Sequence, residues 1–168
     1  MHYAELADEF LKDHRHVTRR LSRILRSLKQ GEVEGAVEIA KELDTLAGPH
    51  IQFEEAVLYP EVARIRGRGY AQRLYREHRI GQTALRALLN EKQPLSEERL
   101  TELIQQFKVA VEHAASCGTL LSHLTELPDL RQREMLKMLN TFVEQGTPWT
   151  RLPPPPVVRN PEPDAPPE

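Results

Sequence analysis

An all-α fold is predicted: four long helices packed up-down-up-down as a bundle, then a short fifth helix and a proline-rich tail. Three observations carry this. Apolar residues recur at seven-residue spacing through four long segments, the segments are separated by turns rich in glycine or proline, and the chain ends in "RLPPPPVVRNPEPDAPPE". Residues seven apart lie nearly above one another on a packed helix, so an apolar column at that spacing marks a buried seam.

The first helix is expected over residues 4–29, where Ala7, His14, Leu21 and Leu28 form a column flanked by Phe10, Val17, Ile24 and by Leu11, Thr18, Leu25. His14 therefore sits in the seam. The neighbouring column of Glu9, His16, Arg23 and Gln30 is polar, which turns His16 toward water. After a turn at Gly31, a second helix over residues 32–65 carries Ala36, Leu43, His50 and Val57 in its seam. Gly48 and Pro49 predict a bend just before His50, because proline cannot donate its amide to the helix ladder. The stretch "RGRG" ends that helix. A third, over residues 70–90, buries the column Ala71, His78, Leu85. Ser96 is an N-cap for the fourth, over residues 97–126, although Arg99 stands where a capping box would place glutamate. Its seam contains Leu103, Ala110, Cys117 and Leu124, with His113 in the adjoining column. Pro128 starts a fifth helix over residues 129–145, and Gly146 to Pro148 end it. Residues 1–148 are thus read as one helical bundle and residues 149–168 as a tail whose proline content keeps it extended.

The 168 residues are 39% hydrophobic and 29% charged, enough apolar chain for one core. A net charge of -2 with balanced cations and anions leaves no basic field for nucleic acid or anionic lipid. No apolar run reaches the roughly 20 residues of a membrane span. The start "MHYAELADEF" has neither the basic end nor the apolar core of a secretion signal. A single cysteine cannot form an internal disulfide, in keeping with a reducing compartment. The expectation is a cytoplasmic protein with no nucleic-acid or membrane partner.

Four histidines fall in or beside the seams, one per long helix. His14 and His50 lie about 16 and 19 residues from the first turn, a difference of about 4 Å along the axis, which makes them neighbours. His78 and His113 lie about 14 and 19 residues from the loop at 91–94, a looser match of about one and a half turns. Glu54, one turn after His50, is nearer the level of His78, where a bridging ligand would stand. Any single buried histidine is commonly satisfied by a backbone or carboxylate partner. Four of them with a carboxylate, converging in a bundle core, make a nitrogen and oxygen donor set suited to iron, zinc or manganese. Without a metal, that many buried polar groups would each need a partner in a low-dielectric core.

The motifs "DHRHVTRRL", "HIQFEEAVLYPEV", "EHRIGQTAL" and "VEHAASCGTLL" resemble the successive helices of the hemerythrin-like, HHE cation-binding family over roughly residues 5 to 125. The second is the most specific: His, Glu four later, another Glu, then Leu58, Tyr59, Pro60. The resemblance implies a four-helix bundle around a non-haem, usually di-iron, centre in proteins that carry oxygen, sense oxygen or iron, or handle nitric oxide and repair iron-sulfur clusters. It also implies His14, His50, Glu54, His78 and His113 as ligands.

The sequence departs from the family pattern in the fourth helix. The family repeats His-x-x-x-Glu there, whereas His113 is followed by Cys117 and then Gly118. Leu74 stands where oxygen carriers place a further histidine. One bridging carboxylate is missing, which leaves a di-iron site with an altered bridge, a single-metal site of iron or another divalent ion, or a degenerate site. Cys117 is either a thiolate ligand, since a metal lowers a thiol's pKa, or a small core residue. Glu55, Glu61, Glu77 and Glu112 are candidate substitute carboxylates, and Tyr59 and Tyr75 are read as packing residues with their hydroxyls near water, either of which could approach a metal. The leading expectation is a protein that binds or senses oxygen, nitric oxide or a related small oxidant. The alternatives are an enzyme of peroxide or nitric oxide handling or iron-sulfur repair, and an interaction module with a vestigial site whose proline-rich tail engages a protein partner.

Overall fold

The computed structural model describes residues 2–154, so the expectation of an extended tail lies, from residue 155 on, outside the described residues. Every regular element among the described residues is a helix. It forms α1 (His2–Lys29), α2 (Val33–Phe53), α3 (Tyr59–Arg66), α4 (Arg68–Asn90), α5 (Glu97–Cys117) and α6 (Asp129–Gln145), with no strand among the described residues. The apolar columns are what pack: α1 buries Leu6, Phe10, Val17, Leu21, Ile24 and Leu28. α1 lies against α2 and α5, α4 against α5, α2 and α3, and α6 across α1 and α2. Ser96 caps α5 by accepting from the Arg99 N–H at 3.1 Å. The Arg99 guanidinium, which cannot complete a capping box, turns back onto Glu91.

The second helix differs from expectation in where its register breaks. The α-helix continues through Gly48 and Pro49, and the irregular turn comes later, as π-helix over Glu54–Leu58, closed by the Tyr59 N–H donating to the Glu54 carbonyl. Pro60 has no N–H to offer the Ala56 carbonyl, so an ordinary α turn cannot close there. In α geometry Tyr59 would point about 140° away from Glu54; the widened turn brings it to the same side. Gly48 serves packing: a Cβ there would collide with the Thr147 carbonyl, where the C-terminal segment crosses α2. The fourth helix is also shorter than expected, tightening after Cys117 into a 3-10 segment, Gly118–Leu124. The buried Gln132 amide closes that segment by donating to the Leu124, Thr125 and Leu127 carbonyls.

Two apolar clusters fill the bundle. One gathers Leu21, Ile24, Leu43, Leu85 and Phe107, the other Phe10, Phe53, Leu58, Leu121 and Met135. Trp149 and Leu152 belong to the first, at 3% and 4% exposure. The packed unit therefore extends past residue 148, because an indole and a leucine side chain gain more from burial than the proline-rich composition around them costs. Removing residues 155–168 is expected to leave the melting temperature unchanged. Removing everything from residue 147 should cost about 3–5 kcal/mol through the lost tryptophan alone, read by thermal or denaturant unfolding.

Candidate metal centre

Between the apolar clusters lies a buried polar layer. From α1, His14 donates its Nε2–H to the Ala114 carbonyl at 2.8 Å, which leaves Nδ1 as a lone pair 3.3 Å from His50 Nε2. His50 Nε2 is also 3.3 Å from Glu54 Oε1, with both side chains within 2% of full burial. Gly118 makes room on the far side of the His14 ring, since a Cβ there would lie 3.2 Å from Nε2. Any side chain at this position would need the His14 ring to give by a few tenths of an ångström.

The other Glu54 oxygen, Oε2, faces the second half of the layer. His78 Nε2 is 3.0 Å from it, and Cys117 donates its S–H to Oε1 at 3.0 Å. The Tyr59 hydroxyl stands in the middle, 2.9 Å from His78 Nε2, 3.0 Å from His113 Nε2 and 3.4 Å from both Cys117 Sγ and Glu54 Oε2. On the outer edges, His78 donates Nδ1–H to Glu55 at 3.0 Å and His113 donates Nδ1–H to Glu77 at 2.6 Å. The imidazole protons thus point outward to carboxylates and the opposite nitrogens point inward, the arrangement by which second-layer carboxylates orient metal-binding histidines.

Electrostatics follow from this geometry. Burial opposes the Glu54 anion, yet His50 and His78 outweigh it and hold its carboxyl well below the usual range. Burial also opposes the His78 cation, but hydrogen bonds to Glu54 and Glu55 raise it to about 9. Burial depresses His14 and His113, and together with the Glu54 charge it lifts the Cys117 thiol and the Tyr59 phenol well above their ordinary values. A base with a raised folded-state pKa stabilises fully below its ordinary value and loses that contribution as pH rises through the folded value. The metal-free protein should accordingly lose on the order of 2–3 kcal/mol of stability between pH 6.5 and 9. Thermal melts of chelated protein across that window check this, and an occupied site, whose cation replaces the His78 proton, should flatten the dependence.

The donor set fits cations. Two groups, His14–His50–Glu54 and Glu54–His113–Cys117, each bring one ligand atom per residue within 4.8 Å of the others, and they share Glu54. Glu54, Glu55 and Glu77 all contact this layer, so it carries more negative than positive charge and is suited to a divalent ion. His50 Nδ1 is buried with no hydrogen-bond partner, so the metal-free arrangement leaves one polar atom unsatisfied. The hemerythrin HHE cation-binding domain model matches residues 5–116. The chain belongs to the hemerythrin HHE cation-binding family. Neither the curated proteins nor the solved structures contain a match to it.

In this HHE domain the structure brings together all six residues singled out from the sequence: His14, His50, Glu54, His78, His113 and Cys117. His78 and His113 meet despite their uneven distance from the intervening loop, with ring centroids 4.6 Å apart, because a six-residue connection does not hold its two ends level. Tyr59 is corrected from a packing residue near water to a fully buried group at the centre of the layer. The "LYP" sequence at the π turn is the one local signal that could have shown it. Tyr75 is likewise buried, its hydroxyl donating to the Glu55 carbonyl at 2.9 Å. Of the four candidate substitute carboxylates, Glu55 and Glu77 sit behind histidines. Glu61 pairs with Arg64 and Arg131, and Glu112 is exposed.

Proposed function

We propose that this HHE protein holds non-haem iron in an up-down-up-down bundle and binds or senses oxygen, nitric oxide or a related small oxidant in the cytoplasm. The observation that carries the reading is Glu54, one carboxylate shared by two donor groups beside a cavity of about 20 Å³. That volume is room for about one water-sized molecule. His14 and His50 would hold one cation, and His78, His113 and Cys117 a second, with Tyr59 as an oxygen donor between them. Iron there supplies reversible electron transfer and an open position for a small ligand. Glu55 and Glu77 fix the tautomers of His78 and His113. Val17, Leu21 and Ile51, which line the cavity, exclude water. Cys117 and Tyr59, 3.4 Å apart, are oxidisable groups at the same place and favour a second reading, turnover of peroxide or nitric oxide.

Metal analysis of protein purified without added metal tests the proposal. One to two irons per chain is the expected result. Iron-free protein that is no more stable when reconstituted would leave a vestigial site. Consumption of peroxide or nitric oxide over many cycles by the iron form would select the enzyme.

A further inference from the structure

Trp149 lies more than thirty residues beyond the family match, yet it is part of the wall of the metal-centre cavity. That wall is apolar opposite the donors, formed by Val17, Leu21, Ile51, Ala110, Ala114 and Trp149. Five of the six come from bundle helices. Trp149 comes from a short strap, residues 147–152, that crosses α2 at Gly48 and α4 at Gly81. A Cβ on Gly81 would stand 2.8 Å from the indole, and the indole centroid is 6.4 Å from that of His78.

The strap is clipped down by side chains. Asp44 accepts from the Thr150 N–H at 2.8 Å and from its hydroxyl at 2.9 Å. The buried Gln82 amide donates to the Trp149 carbonyl at 2.7 Å and the Leu152 carbonyl at 3.1 Å, and Arg86 donates to the Thr150 carbonyl. Helical wall residues cannot leave without unfolding their helix. The strap lies outside the bundle helices and is held by these clips and by the burial of Trp149 and Leu152, so it can lift as one unit while the bundle stays folded, at the cost of exposing those side chains.

We propose that this strap is the lid of the metal cavity and that Trp149 sets the upper limit on the size of ligand the cavity admits. The identity of the ligand rests on the function proposed above; the lid itself does not. With the lid closed, the cavity of about 20 Å³ has no room for a branched four-carbon group, and without the indole it widens toward solvent.

Full-length protein tests this in two ways. In the metal-free form, fluorescence of the chain's one tryptophan reports the strap directly. Asp44→Ala should raise its collisional quenching by acrylamide several-fold with unchanged helical circular dichroism; equal quenching in the two proteins overturns the lid. In the ferrous form, wild type should bind nitric oxide and exclude tert-butyl isocyanide. Trp149→Ala, or Trp149→Phe if the alanine variant does not fold, should bind both, with isocyanide affinity raised about tenfold or more. Wild type binding the isocyanide as tightly as the variant overturns the size limit. If neither form retains iron, the functional reading fails, and quenching alone decides the lid.

Discussion

Glu54→Ala protein is expected to purify without iron and to unfold more easily by about 3–5 kcal/mol, because removing one partner of a buried ion pair strands the other. Among the described residues, Glu54 is the carboxylate that contacts both halves of the polar layer: His50 through Oε1 and His78 through Oε2, at 3.3 and 3.0 Å. Its loss leaves His50, His78 and Cys117 without their shared acceptor. Glu54→Gln keeps the size and one acceptor oxygen, so it should retain more of the fold while still failing to bridge two cations. His16→Ala, on a helix face away from the layer, should alter neither iron content nor stability. Iron retained at the wild-type level in Glu54→Ala would show that the carboxylate is not a ligand.

Tyr59→Phe is the second variant with a large expected effect. The phenol oxygen contacts His78, His113, Cys117 and Glu54 at once, and the loss of one buried hydroxyl costs about 1–3 kcal/mol in the metal-free protein. If the oxygen is a ligand, iron content should fall toward one per chain, and the visible phenolate-to-iron absorption of the ferric protein should vanish. A spectrum and stoichiometry equal to wild type would return Tyr59 to a packing role. Burial and the Glu54 charge hold the free phenol protonated, so that absorption can arise only where a cation has displaced the proton.

The main features of the bundle were legible because they are local. The His14 and His50 columns are set by helical periodicity alone, and similar distances from a tight turn at Gly31 bring those rings together. The departure at Cys117 was legible for the same reason, being a fixed spacing from His113. Tyr59 was not legible: an α-helical count aims it away from Glu54, and only the π turn restores it. The outer roles of Glu55 and Glu77 were hidden because each acts across helices, on His78 and His113 respectively, and periodicity on one helix cannot say what the next one brings alongside.

By itself the sequence determined the all-helical class, the family and the six donor residues that meet in the core, since apolar spacing and ligand spacing repeat along one chain. Tertiary structure alone decided how these donors are shared: Glu54 between two groups, Tyr59 among four neighbours, and the Nδ1 protons of His78 and His113 turned toward Glu55 and Glu77. It also decided that Trp149 belongs to the core. A proline-rich context predicts no packing, but Gly48 lets the Thr147–Pro148 backbone lie close on α2 and Gly81 lets the indole lie close on α4, and burying that ring there outweighs the preference of the surrounding residues for water.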